Sequence, residues 1–223
     1  RRNRALTRRP DLLPGGAMME LHPDFQRKVT DFIKQFRDKV HEYDELVTGN
    51  IIFRNRMKDV GILSKEDAVS FGCSGPTARG SGVSCDIRKL YPYDAYDKVQ
   101  FEEVLETGCD SLARYMVRIR ELHQSISIVE QLIDNIPEGD VQAKTKAVLK
   151  LPKGEFYTSV ETARGELGVY IVSEGGTTPY RIKFRSPGFS NLSALDTMAR
   201  GSKLGDLVAM MGTLDLVIPD IDR

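Results

Sequence analysis

Apolar residues recur at every third or fourth position between residues 23 and 50, at Phe25, Val29, Phe32, Ile33, Phe36, Val40, Tyr43 and Leu46, and Gly49-Asn50 supplies a stop. That period predicts one amphipathic helix. A shorter helix is predicted over 51–58. Ser64, with Asp67 three residues on, reads as an N-cap and its box, opening a third helix that runs to about residue 71. Gly72, Gly75, Pro76, Gly80, Gly82 and Pro92 then break every period, so 72–96 is predicted to be irregular. A loop of that length in a compact domain is usually functional. After a predicted strand over 99–105 comes the strongest helix, 110–135. It carries Leu112, Tyr115, Met116, Ile119, Leu122, Ile126, Val129 and Ile133 on one face, Asp110 as cap and Pro137-Glu-Gly139 as terminator.

Beyond a polar linker at 138–153, residues 167–173 and 179–185 flank Glu174-Gly-Gly-Thr-Thr178 and predict a β-hairpin. In its second strand Tyr180, Ile182 and Phe184 alternate with Arg181, Lys183 and Arg185, which predicts one buried and one cationic face. The last helix, about 203–214, is apolar almost all round and is expected inside the protein or under a partner. Asp215, Asp220 and Asp222 then alternate with Leu216, Val217, Ile218 and Ile221, a pattern expected of a C-terminus buried in protein. Buried carboxylates need partners or shifted pKa values. The tail is therefore either an ion-pair anchor or part of a site. The pattern as a whole predicts an α+β, mainly helical fold with a β-hairpin in the C-terminal third.

Composition narrows the function. The 223 residues carry 32 acidic and 32 basic side chains, so nothing global points to nucleic acid or an anionic membrane surface. The longest apolar candidate, 204–219, is interrupted by Asp206 and Asp215, and no span is predicted. Cys73, Cys85 and Cys109 are odd in number and lack CxxC spacing, which argues against a disulfide framework, a zinc site or an iron–sulfur cluster held by this chain, and for a reducing compartment. The basic run at 1–10 has no apolar segment behind it and is no secretory signal. Residues 1–14 read as a basic arm outside the domain, which is placed at 15–223.

Individual chemical signals are weak. The Gly72–Gly82 segment has neither dinucleotide-binding nor P-loop spacing. Its glycines permit close backbone approach, and Arg79 is expected to anchor an acidic neighbour or a partner subunit, with Gly80 and Gly82 in the same loop or interface. Three charges on one strand face make a small footprint for nucleic acid. His22, His41 and His123 are scattered, and Cys73 and Cys109 have no base that the sequence pairs with them.

Five blocks carry a resemblance: Gly72-Cys-Ser-Gly-Pro-Thr-Ala-Arg-Gly-Ser-Gly82, Asp86-Ile-Arg-Lys-Leu-Tyr-Pro-Tyr93, Val160-Glu-Thr-Ala-Arg-Gly-Glu-Leu-Gly168, Pro179-Tyr-Arg-Ile-Lys-Phe-Arg-Ser-Pro-Gly-Phe189 and Gly212-Thr-Leu-Asp-Leu-Val-Ile-Pro-Asp-Ile-Asp-Arg223. In that order they resemble the 49-kDa-type (D-type) subunit of respiratory complex I, a family similar to the large subunit of nickel–iron hydrogenases. The resemblance implies a partial hydrogenase-large-subunit-like fold. Val217 and Asp220 stand where hydrogenases carry two cysteine ligands, and without thiolates no nickel–iron centre is expected.

The vacated cavity is implied to form the end of a quinone pocket, with Val217 lining it and Asp220, Asp222 and Arg223 organising its polar side. The pocket is expected beside the terminal 4Fe–4S cluster of the neighbouring B-type subunit, in a proton-translocating NADH:quinone oxidoreductase. This chain is expected to bind no cofactor of its own, while NADH is used by the whole complex. Implied partners are the B-type and C-type subunits of complex I and its membrane-arm H-type subunit. The implied location is peripheral, on the cytoplasmic face of the bacterial inner membrane. The family's N-terminal half, with the His and Tyr that hold the quinone headgroup, is absent from the sequence, so a fragment inactive in isolation is expected. Where many members carry a Ser-Met-Glu helical segment, 142–153 is a short linker. The alternatives are a purely structural or assembly subunit of the same arm, or a subunit of a related membrane-bound hydrogenase-like complex.

Overall fold

The structure, a computed structural model, describes residues 12–13, 15–17, 20–144, 148 and 150–222. Of the basic arm, only Leu12 and Leu13 lie within the described residues. They form β1 (Leu12–Leu13), paired antiparallel with β2 (Gly16–Ala17). β2 is tied to the linker after the long helix, where the Ala17 N–H donates to the Val141 carbonyl at 2.9 Å.

The first predicted helix is α1 (Phe25–Tyr43), whose last turn, Asp44–Thr48, is wound more loosely with π geometry. The Thr48 hydroxyl bonds Asp44 there and lies 3.0 Å from the Tyr115 hydroxyl. The Asn50 side chain accepts from the Ile52 and Phe53 N–H groups and opens α2 (Ile51–Met57). The Ser64 hydroxyl does the same for Asp67 and opens α3 (Lys65–Ser70).

Two local expectations fail for identifiable reasons. The stretch 72–96 is not irregular throughout but holds α4 (Gly75–Arg79), α5 (Ile87–Leu90) and a 3₁₀ turn at Tyr96–Lys98. One-turn helices are too short to show a period. Residues 99–105 form no strand: the extended backbone is held by side chains of the long helix, Gln131 bonding both the N–H and the carbonyl of Gln100, and Gln124 accepting from the Glu102 N–H.

That long helix is α6 (Ser111–Ile133), capped by Asp110 as expected. Its buried face is rotated from the expected one, since Arg114 and Val117 are fully buried whereas Val129 is exposed. The cause is that α6 packs on two bodies. Its C-terminal half joins α1 through Ile33, Val40 and Ile126, and its N-terminal half lies between α4 and the last long helix.

The predicted hairpin belongs to a three-stranded antiparallel sheet, β3 (Gly154–Thr162), β4 (Gly165–Ser173) and β5 (Arg181–Arg185), in that spatial order. β3 is unexpected, because its Glu and Thr residues interrupt the apolar alternation. The Tyr180, Ile182 and Phe184 face is not buried within this chain. Those side chains are 73%, 45% and 44% exposed, because the sheet meets the helices mainly along one end, at α4, α5 and the helix that follows β5.

Four helices close the chain: α7 (Pro187–Ser193), α8 (Leu195–Ala199), α9 (Leu204–Leu214) and α10 (Ile218–Ile221). α9 buries Met210, Thr213 and Leu214 but leaves Leu204 and Val208 in solvent, so it is amphipathic rather than buried all round. The tail is likewise mixed. Asp220 is buried, while Ile218 and Asp222 are exposed. The main core gathers Leu63, Ala68, Ala78, Met198, Met210 and Leu214, so α3, α4, α8 and α9 share it.

The sheet meets this core at a crossing of two glycines. A Cβ on Gly75 would fall 2.5 Å from the Arg164 carbonyl oxygen and from the Gly165 Cα, and one on Gly165 would fall 2.5 Å from the Ser74 hydroxyl. Both have positive φ, +64° and +131°. Gly75→Ala is expected to lower the unfolding free energy by at least about 2 kcal/mol, from overlap plus backbone strain. Gly72→Ala, at φ +65° but with nothing within 4 Å, is expected to cost about 1 kcal/mol. Urea titration of both variants checks this, and equal losses would contradict it.

Candidate functional site

Two polar assemblies sit along one stripe of α6. The first surrounds Arg79, the last residue of α4, only 1% exposed. Its Nη2 lies 2.7 Å from Glu121 Oε1 on α6, and its Nη1 donates to Glu161 Oε1 on β3 at 2.9 Å. Glu161 Oε2 also accepts from the Ile87 N–H at the start of α5. Burial pushes the carboxyls of Glu121 and Glu161 up, opposed by the Arg79 charge. For Arg79 itself burial is the largest single influence and pulls the other way, yet the two carboxylates outweigh it and hold the guanidinium firmly charged.

Beside it, Asp86 caps α5 and takes the Arg88 side chain on both oxygens, at 2.9 and 2.6 Å, while the Arg88 guanidinium lies 4.9 Å from the Phe101 ring centre. Burial works against the charged Asp86, and the Arg88 hydrogen bonds and charge override it, leaving that carboxyl below its ordinary value. A cavity of about 570 Å³ opens between these groups and Arg118.

The second assembly joins α6 to the tail. Arg114 is fully buried and donates to the Gly61 carbonyl, to the Ser111 hydroxyl and to Thr213 Oγ1 of α9. Burial brings its pKa down to about 10. One turn on, Arg118 donates to the Thr213 carbonyl and pairs with Asp215 at 3.7 Å. Arg164, in the β3–β4 turn, reaches the same carboxylate at 3.4 Å. Asp215 ends α9 in the left-handed conformation, φ +54°, which a short polar side chain tolerates better than most. Two arginines on one carboxylate thus fix the direction in which the tail leaves the helix.

Past that clamp Val217 is extended and half-buried, and Pro219 in the first turn of α10 sets the next helical residues. Asp220 Oδ2 accepts from the Gly188 N–H of α7 at 3.2 Å. Asp222 is exposed, and Arg223 lies outside the described residues. The expected site residues are therefore neighbours in one turn with different surroundings. Neither the cavity beside Arg79 nor a cleft of about 820 Å³ along β5 is lined by Val217, Asp220 or Asp222. Arg79 lies inside the chain, with its acidic neighbours on α6 and β3, and Gly80 and Gly82 form the turn that follows it. A Cβ on Gly80 would fall 2.7 Å from Arg114 Cγ, so α4 ends against α6 at backbone distance.

Sequence reasoning passes over Glu121, Glu161, Arg114, Arg118 and Arg164. A signal for three of them is present: Arg114, Arg118 and Glu121 stand at i, i+4 and i+7, a stripe that an amphipathic helix reserves for one face. No three His, Cys, Asp or Glu side chains come together as metal ligands among the described residues. Cys73 and Cys85 are separate thiols, each pushed up to about 11 by burial.

The family model described as the respiratory-chain NADH dehydrogenase 49 Kd subunit matches residues 9–150 and 144–223. The C/D subunit of NADH-quinone oxidoreductase from Bacteroides fragilis is 54% identical over 209 residues, which cover 94% of this chain and 39% of that protein. The D 2 subunit from Solibacter usitatus is 48% identical over 209 residues, 94% of this chain and 56% of the relative. The D subunit from Desulforamulus reducens is 41% identical over 208 residues, 93% and 57%. The chain thus spans about four tenths of the C/D relative and little more than half of the D relatives.

Removing Arg79 takes the ion-pair partner from two largely buried carboxylates. Arg79→Leu is expected to cost about 3–5 kcal/mol at pH 8. Both carboxyls already sit above the ordinary glutamate value, so the folded chain holds their protons to higher pH than the unfolded chain does. Their stabilising contribution is full at acid pH and is lost as pH rises. Arg79 counters that rise in both carboxyls, so its loss raises them further, and the deficit of Arg79→Leu should shrink between pH 8 and pH 5.5 in paired urea titrations; a deficit that grows toward acid contradicts the assignment.

Proposed function

Because the chain belongs to the family of the 49-kDa subunit of respiratory-chain NADH dehydrogenase, we propose that it forms one wall of the quinone site in a proton-translocating NADH:quinone oxidoreductase. In this reading it has the partial fold of a hydrogenase large subunit and sits peripherally on the cytoplasmic face of the bacterial inner membrane, against the B-type, C-type and H-type subunits. The observation that carries the reading is the Asp215 clamp. Arg118 and Arg164 hold the backbone just before Val217 in a fixed course, in the segment where hydrogenases bind their metal through cysteines.

The residues divide the work. Val217 presents an apolar, β-branched side chain, suited to the edge of a flat quinone ring. Asp220 is pinned by the Gly188 N–H and fixes the α10 turn relative to α7. Asp222, exposed at the end of that turn, adds a carboxylate to the proposed polar side. Arg223, outside the described residues, is proposed to add a cation. In this reading a 4Fe–4S cluster held by the B-type subunit would supply the electrons. Two-electron quinone reduction takes up two protons, so fixed carboxylates and arginines near the ring set the electrostatics of that uptake.

A second reading, a structural or assembly subunit, draws on the described clefts, which Val217, Asp220 and Asp222 do not line. Val217→Trp in the assembled enzyme distinguishes the two. The quinone-site reading expects a change of about tenfold in quinone KM or inhibitor affinity, with NADH oxidation by an artificial acceptor acting upstream left unchanged. Unaltered quinone kinetics and inhibitor response would favour the structural role. The purified chain alone is expected to show no NADH:quinone turnover.

A further inference from the structure

The three-stranded sheet has an edge that the quinone site does not use. Its register places Phe156, Ile171 and Ile182 side by side across the strands, and likewise Val169 beside Phe184, so one face is apolar. The opposite face sets Tyr157, Tyr170 and Lys183 in one row and Glu155, Val172 and Arg181 in the next. β5 is the outermost strand on its side among the described residues. The cleft of about 820 Å³ runs along it, between the two tyrosines and Phe189.

The charges on this edge are unevenly used. The Tyr157 hydroxyl donates to Glu166 and the Tyr170 hydroxyl to Glu155, so the nearby carboxylates are engaged. Arg185 is likewise committed, donating to the Ser74 hydroxyl and to the Gly72 and Glu166 carbonyls. Arg181 and Lys183, both exposed, form no ion pair among the described residues. An exposed strand edge offers unpaired main-chain groups to another chain. Here it also carries a two-residue code, apolar at Ile182 and Phe184, cationic at Arg181 and Lys183.

The geometry points to strand addition: an extended segment of a partner polypeptide pairs with β5, its apolar side chains beside Ile182 and Phe184 and its Asp or Glu side chains beside Arg181 and Lys183. The alternation follows from the period of two in a strand, and the acidic positions from the preference for opposite charges across strands. A second copy fits poorly, because two β5 edges would bring Arg and Lys against Arg and Lys. The chain's own acidic strand, β3, is already paired with β4 on the far side of the sheet.

The test uses the assembled enzyme in its membrane, with the photo-cross-linker p-benzoylphenylalanine replacing Tyr180 or, separately, Phe184, and mass spectrometry of the joined peptide. The expected product is a peptide from another polypeptide in which apolar residues alternate with Asp or Glu. Its yield should fall about tenfold on Arg181→Glu with Lys183→Glu and persist on Arg181→Lys with Lys183→Arg. If the charge-reversed enzyme does not assemble, the neutral pair Arg181→Gln and Lys183→Gln replaces it, again with a fall expected. Cross-links to the same polypeptide, to a second copy, to lipid or quinone, or to a partner segment without the alternation overturn the inference. So does the absence of any cross-link in assembled enzyme, or a yield indifferent to charge.

Discussion

A guanidinium withdrawn from water must be neutralised on more than one side, and Arg79 meets that requirement by drawing three elements together. α4 supplies the cation, α6 and β3 one carboxylate each. A planar fork can address two carboxylates in different directions, which a single ammonium does poorly. α4 is five residues long and far too short to be stable alone. Its ends are fixed by unrelated means, backbone contact between glycines at the start and the ion cluster at the finish. The cation also lies at the end of the helix where the peptide dipoles favour positive charge.

α6 carries this arrangement to the tail. Glu121 faces Arg79, Arg118 faces Asp215, and Arg114 reaches Thr213 on α9. One helical stripe thus positions both α4 and the strand of residues proposed to border quinone. Breaking a buried pair leaves the remaining charge stranded, so these contacts specify relative placement more than they add net stability. The apolar core beneath, shared by α3, α4, α8 and α9, supplies the cohesion.

What is legible in the sequence follows from length and period. α1 and α6 announce themselves through many repeats of one spacing, and the caps at Asp110 of α6 and Ser64 of α3 are local chemistry. α4 and α5 have a single turn each and no period to read. The extended stretch 99–105 has the alternation of a strand, but its partners are Gln124 and Gln131, side chains that only the tertiary fold brings alongside. The β5 strand is plain from its alternation and the burial of its apolar face is not, because nothing in the described part of this chain covers that face. At the tail, the carboxylates are conspicuous as ions among apolar residues. The counter-ions of Asp215 lie about 100 and 50 positions earlier, at Arg118 and Arg164, and no local pattern links them.

Arg185 gives the molecule a mechanical property. It stands at the last position of the edge strand, yet its guanidinium grips the Gly72 carbonyl and the Ser74 hydroxyl at the root of α4 as well as the neighbouring strand at Glu166. Force applied along β5 is therefore not dissipated in a floppy margin. It passes through a short, directional linkage into α4 and from there to Arg79 and α6. The outer edge of the sheet is thus tied to the helical body beside the glycine crossing.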